Sequence, residues 1–232
     1  MVRARTEPTV RPSARRPAGP LSAPHAVAGL VLAAGLASRF GGAKLAAPLE
    51  GRPLISHVLD TVGTAVERGL LLAGFVVAAV GRDAPADAVL VRLLAEERGL
   101  AVVDNDDPAA GLSRSLRLGL QALESLPVGA AIVLLGDQPR TDVEVIATLI
   151  AEWRHRRAPI LVPRYRTAGG APGNPVVVGR DAWPLARDLR GDSGMSAVAR
   201  RRPDLIAYLE VEGVNPDVDR PADLDALSDP SR

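Results

Sequence analysis

The sequence predicts an α/β fold: a mostly parallel sheet between two layers of helices, three layers αβα in all. Three observations point there. Continuous apolar runs of strand length alternate with segments of helical period, the mark of a sheet buried on both faces. The connections between them are short, as right-handed βαβ units require. The chain has 232 residues, 47% hydrophobic and 24% charged, enough for one large domain with its own core.

Residues 1–25 stand apart. They are rich in Arg, Pro, Ala and Ser, with Glu7 as the only acid. Pro8, Pro12, Pro17, Pro20 and Pro24 forbid a regular helix. The segment reads as a disordered basic tail ahead of a single domain over 26–232. Followed by the apolar run 26–37, it imitates a secretory signal. The run is too short to span a bilayer, and it serves better as a buried strand leading into a glycine loop. No other stretch has membrane-spanning length, so a cytoplasmic protein without membrane contact is expected.

Residues 27–34 form the first strand. The helix expected over 53–68 puts Leu54, Ile55, Val58, Leu59, Val62 and Val66 on one face. A second buried strand covers 71–80 and ends at Gly81. Over 86–98 the spacing predicts a helix with Val89, Leu90, Leu93 and Leu94 inward, closed by Gly99. A short strand at 100–103, a helix at 112–126 and a strand at 130–135 follow. Next come a helix at 143–156 and a strand at 160–162. The last third is less regular: a strand at 175–178, helices at 182–189 and 195–202, a strand at 205–211 and a closing helix at 222–227.

Composition narrows the function. A net charge of +1 leaves no large basic surface for nucleic acid, and 3% aromatics leave few stacking platforms. The absence of Cys removes disulfides, thiolate metal sites and cysteine nucleophiles. His25 lies in the tail, while His57 and His155 lie in helices. None pairs with a nucleophile, and no cluster has zinc spacing.

Ligands of open α/β sheets bind beyond the carboxyl ends of the strands. After the first strand the chain reads Leu32, Ala33, Ala34, Gly35, Leu36, Ala37, Ser38, Arg39, Phe40, Gly41, Gly42, Ala43, Lys44. Three glycines let backbone N–H groups approach phosphate oxygens, and Arg39 and Lys44 add positive charge suited to a triphosphate. The alternative is a plain connection with solvated cations. The glycine spacing fits neither a dinucleotide fingerprint nor a Walker loop. After the strand at 130–135 comes Gly136-Asp137-Gln138-Pro139, where Asp137 suits a Mg²⁺ ligand facing the α-phosphate, or else a helix cap. Asp142 is the better cap. Near the end, Asp217 and Asp219 are expected to alternate across a strand and so face opposite ways; one of them can join Asp137 while the other, with Asp223, caps or faces solvent. Two more loops are candidates: 105–115, with Asn105, Gly111, Ser113 and Ser115, and Gly191-Asp192-Ser193-Gly194.

Together these motifs resemble the MobA-like NTP transferase family, and most closely its molybdenum cofactor cytidylyltransferases. The family's L-x-A/G-G-x-x-x-R-x-G-x-x-K pattern matches Leu32 through Lys44. Its Asn…Gly…Ser segment matches Asn105, Gly111 and Ser115, and its G-D-x-P matches Gly136 to Pro139. Its G-x-P matches Gly173-Asn174-Pro175, its G-D-x-G the turn at 191–194, and its D-x-D-x-P-x-D-L residues 217–224. Six motifs in order cover residues 27–228.

The resemblance implies a Rossmann-like, nucleotide-diphospho-sugar transferase-like sheet and transfer of CMP from CTP to molybdopterin with release of pyrophosphate. It implies that Leu32, Ala33, Ala34, Gly35, Arg39, Lys44, Asn105, Gly111 and Ser115 bind the nucleotide. Arg39, Lys44 and Asp137 would be catalytic, and Asp137 and Asp219 would hold Mg²⁺. Asn174, Gly191, Asp192, Ser193 and Gly194 would face the phosphorylated acceptor, and a molybdoenzyme or its maturation chaperone would receive the product. The sequence departs from these relatives at Ala37, where they often have Ser, at Phe40, where they have Met, and at Arg220, where they have Thr. Other readings are guanylyl or sugar-phosphate nucleotidyl transfer, and a nucleotide-binding module without turnover.

Overall fold

The computed structural model describes residues 10–11 and 23–228. At its centre is a nine-stranded sheet. Its strands are β1 (Val10–Arg11), β2 (Val27–Ala33), β5 (Gly74–Ala79), β6 (Ala101–Asn105), β7 (Ala130–Leu135), β8 (Ile160–Tyr165), β9 (Ala171–Pro172), β10 (Val176–Gly179) and β11 (Ile206–Val211). They run in the order β1-β6-β5-β2-β7-β10-β8-β11, with β9 on β8. β3 (Pro48–Leu49) and β4 (Arg52–Pro53) form a separate hairpin. β6, β5, β2 and β7 are mutually parallel, β8 pairs β11 in parallel, and β10 is antiparallel to both β7 and β8. One reversed strand thus joins two parallel groups, and the carboxyl ends of β2, β7, β8 and β11 all open on one side.

The helices are α1 (Leu54–Glu67), α2 (Ala88–Glu97), α3 (Leu112–Leu123), α4 (Val143–Arg156), α5 (Met195–Arg201) and α6 (Pro221–Ser228). A strand's side chains alternate between faces, so a strand covered twice must be apolar throughout. β2 shows this: Ala28, Leu30 and Leu32 enter one core, and Val27, Val31 and Ala33 the other. The first core is closed by α3, α5 and a 3-10 segment, the second by α1, α2, α4 and α6. In α3, Gly119 allows the closest approach, since a Cβ there would fall 2.5 Å from the Leu30 side chain.

Several expected elements shift. In α2, Val89 and Leu93 are 68% and 53% exposed, while Ala88, Val91 and Ala95 face the sheet. Apolar residues run around most of this helix, so periodicity does not choose a face; the small residues Ala88 and Ala95 are on the side that packs on the strands. The segment expected as a helix over 182–189 is a 3-10 run, Arg180–Asp188, interrupted by Pro184, which removes a backbone donor. β8 runs three residues further than expected, and β5 starts only at Gly74. The expected tail lies mostly outside the described residues; of its described parts, β1 lies antiparallel on the edge of β6, and Ala23–His25 form a 3-10 turn whose carbonyls accept from Arg154 and Arg157. No helix among the described residues is long and apolar enough to cross a membrane.

Candidate active site

The glycine loop leaves β2 at Ala33 and turns through positive φ at Ala37 (50°), Gly41 (85°) and Gly42 (138°). Ala37 is a non-glycine residue in left-handed backbone, a conformation that costs energy and that clusters at functional loops. The loop ends in a 3-10 turn, Lys44–Ala46, anchored by buried Leu45. The Leu45 N–H donates to Asp87 Oδ2 at 2.7 Å. Asp87 is 3% exposed and stands where it could cap α2, yet its side chain makes no cap bond. It serves instead to fix the backbone beside Lys44, a role the sequence does not show because the partner N–H is 42 residues away.

Asp137 follows β7. Its carbonyl accepts the Val218 N–H at 3.0 Å, which draws the segment 214–219 across the loop. Lys44 Nζ lies 2.6 Å from Asp137 Oδ2 and 3.9 Å from Asp219 Oδ1, and Arg39 Nη1 lies 3.3 Å from Asp219 Oδ2. Two cations and two acids therefore converge from three parts of the chain. Lys44 is the most enclosed of the four, with 12% of its side chain exposed.

The neighbouring acids take other duties. Asp142 caps α4, accepting the Glu144 N–H at 2.9 Å. Asp223 accepts the N–H groups of Asp219 and Arg220 at 2.8 and 2.7 Å, which fixes Asp219 and holds the Asp223 carboxyl below its usual range. Asp217 accepts Gln138 Nε2 at 2.7 Å and pairs with neither Lys44 nor Arg39. Desolvation raises the Asp217 carboxyl above its usual range, the charges of Asp137 and Asp219 add to this, and the Gln138 hydrogen bond opposes it. Gln138 and Asn215 extend the network: Asn215 Nδ2 reaches Gln138 Oε1 at 3.3 Å and the Asn174 carbonyl at 3.1 Å. The Tyr165 hydroxyl donates to the same carbonyl at 2.6 Å, and burial pushes that phenol up to about 12.

On the other side, Asn105 is fully buried; its Nδ2 donates to Ser115 Oγ at 3.0 Å, while its side-chain Oδ1 accepts the Asp107 N–H. The Ser113 N–H donates to the Gly191 carbonyl at 3.0 Å, so the turn at 191–194 is locked onto the start of α3.

These groups surround a cavity of about 450 Å³. Leu32, Ala33, Ala34, Gly35, Arg39 and Lys44 form one wall; Gly111, Ser115 and Asp192 form another; Asp137 and Asp219 close the floor. Asn105 stands behind Ser115, and Asn174 lies beyond Gln138, outside this cavity. A slightly larger cleft of about 530 Å³ lies between α4 and the end of β11, but it brings no glycine loop and no paired lysine, so volume alone does not choose the site. His57 binds the Leu49 carbonyl at 3.1 Å, a structural role.

The donor set fits Mg²⁺. That ion is held in such sites by one or two carboxylates plus substrate phosphates and water. Asp137 and Asp219 supply two carboxylates around one point, the place taken by the Lys44 ammonium. Among the described residues no cluster of three or more His, Cys, Asp or Glu is suited to a metal, so an ion held there would need substrate oxygens or water to complete its shell.

A mostly parallel sheet thus carries a glycine loop, two cations and two acids at its carboxyl edge. Residues 29–206 match the MobA-like NTP transferase domain, and the chain belongs to that family. It is 31% identical over 145 residues to the bifunctional protein GlmU of Mycolicibacterium paratuberculosis, covering 61% of this chain and 28% of that protein. GlmU of Clavibacter sepedonicus is 33% identical over 133 residues, 56% of this chain and 25% of its own. The chain thus matches about a quarter of the length of these relatives. Among solved structures, Rv0371c of Mycobacterium tuberculosis H37Rv superposes with a TM-score of 0.72 at 24% identity, over 88% of this chain and 98% of that one. A CMP:2-keto-3-deoxy-manno-octonic acid synthetase complexed with CTP superposes with a TM-score of 0.65 at 17% identity, over 88% and 97%. At these identities the likeness shows the shared nucleotide-diphospho-sugar transferase fold.

Proposed function

We propose that the protein transfers CMP from CTP to a molybdopterin-type cofactor and releases pyrophosphate. The observation that carries transfer chemistry is the convergence of Arg39, Lys44, Asp137 and Asp219 at one end of a cavity of nucleotide size. The choice of CMP and of acceptor rests on the resemblance of residues 32–48 to cytidylyltransferases and on Ala34, which lines the cavity where the similar guanylyltransferases have a second Gly. A methyl in a wall that meets the base narrows the pocket and favours a pyrimidine.

The terminal phosphate oxygen of the acceptor attacks the α-phosphorus, and pyrophosphate leaves in line. A phosphate monoester is already anionic near neutral pH, so no strong base is needed and no covalent enzyme intermediate forms. Arg39 and Lys44 orient the triphosphate and neutralise its charge. Asp137 and Asp219 would hold Mg²⁺, which supplies further neutralisation at the α-phosphate. Asn174 and, in the turn at 191–194, Ser193 would border the acceptor side. The product passes in the cytoplasm to a molybdoenzyme or its maturation chaperone.

A second reading keeps the reaction and changes the acceptor; the 31–33% identity to GlmU proteins favours it. Competition between CTP and GTP at equal concentration, with molybdenum cofactor as acceptor, decides. CMP transfer preferred by about ten- to two-hundredfold is expected. Equal GMP transfer rejects the nucleotide assignment, and transfer only to another acceptor rejects the cofactor.

A further inference from the structure

Asp192 sits on the turn between the 3-10 segment and α5, in the part of the chain that follows the sheet's reversed strand. The turn is nevertheless fastened to the nucleotide half. Besides the Ser113–Gly191 hydrogen bond, the backbone of Gly111 presses against it. Gly111 has φ of 83°, and a Cβ there would fall 2.5 Å from the Gly191 carbonyl carbon and 2.8 Å from Asp192 Oδ1. Only glycine permits this contact. It brings the Asp192 carboxylate over the start of α3, into the cavity that Ser115 and the glycine loop also line.

The charges in the cavity are sorted. Asp137 and Asp219 are paired with Lys44 and Arg39, whereas Asp192 takes part in no ion pair among the described residues. A lone carboxylate repels phosphates and accepts hydrogen bonds without donating any. Its two oxygens match two adjacent hydroxyl donors. We propose that Asp192 binds the 2′,3′-diol of the nucleotide's ribose, and so orients the nucleoside away from the cations that take the triphosphate. Asp192 is then a specificity residue for the nucleotide and not for the acceptor. This rests on the nucleotidyltransferase reading and deepens it.

The test is direct binding, without acceptor, of CTP, 2′,3′-dideoxy-CTP and UTP, each with Mg²⁺, measured by calorimetry on the full chain and on Asp192→Ala. The wild-type chain is expected to bind CTP about tenfold or more tighter than the dideoxy analogue. Asp192→Ala is expected to lower CTP affinity to near that of the analogue and to leave the analogue and the CTP-to-UTP ratio almost unchanged. Asp192→Asn keeps one acceptor oxygen and should retain part of the discrimination. Equal losses for CTP and the dideoxy analogue would overturn the proposal. A changed CTP-to-UTP ratio would also overturn it, since the carboxylate would then be reading the base amine. If the wild-type chain binds no triphosphate, the nucleotidyltransferase reading itself falls; if it binds them without discriminating the diol, only the role of Asp192 falls.

Discussion

From β2 to β7 the chain builds its part of the site by local rules, while beyond β7 it does so by long-range contact. In the first region three of the four parallel strands run into loops that line the cavity: 34–44 after β2, 108–111 after β6, Asp137 after β7. In the second, the strand order folds back through antiparallel β10, and Asp219 and Asp192 arrive on irregular segments. What holds those segments is backbone hydrogen bonding to the first region, Val218 to Asp137 and Ser113 to Gly191. The site is therefore a seam, with the glycine loop, its two cations and Asp137 on one side and Asp192 and Asp219 supplied from the other.

The seam can be broken from either side. The largest effect is expected at Asp137, which both regions use. Asp137→Asn should lower Mg²⁺-dependent turnover about a hundredfold or more while thermal unfolding stays within a few degrees of wild type. Pyrophosphate release near the wild-type rate would remove Asp137 from the metal site. Gly111→Ala should separate the halves physically. The added methyl meets the Gly191 carbonyl in left-handed backbone, an overpacking expected to cost about 1–3 kcal/mol, read as a lower midpoint in urea. An unchanged midpoint would mean that the turn at 191–194 yields freely.

How much was legible in the sequence divides along the same seam. Val27, Val31 and Ala33 on one face and Ala28, Leu30 and Leu32 on the other make β2 a continuous apolar run, so the strand and its loop could be read directly. Asp137 stood out as an acid closing such a run. The face of α2 could not be read, because Val89 and Leu93 are as apolar as Val91 but point to solvent. Nor could the antiparallel direction of β10, which depends on which neighbours it finds rather than on its own four residues. Asp87 was hidden for a similar reason: its partner, the Leu45 N–H, is 42 residues away.

Asp87→Ala leaves the buried Leu45 N–H without its acceptor and should cost about 1–3 kcal/mol. Because the contact holds the residue next to Lys44, turnover should fall as well, with rescue by Asp87→Asn, which keeps an acceptor. A loss of stability with normal kinetics would make Asp87 a packing residue only. The smallest effect is expected from removing residues 1–22. Only the two-residue pairing of β1 on β6 is lost among the described contacts, so the midpoint should move by less than about 1 kcal/mol and activity not at all. A large drop would show that the basic segment supports the edge of the sheet.

The most direct test of the seam as a nucleotidyltransferase site is pyrophosphate release. CTP, GTP, UTP and ATP would each be offered with Mg²⁺ and a panel of phosphorylated acceptors, molybdopterin among them, to wild type, Lys44→Ala and Asp219→Ala. The account predicts acceptor-dependent pyrophosphate release by wild type, and a loss of at least about tenfold in both variants, one from each side of the seam. Release that persists undiminished in both variants, or none from wild type with any pair of substrates, would contradict it.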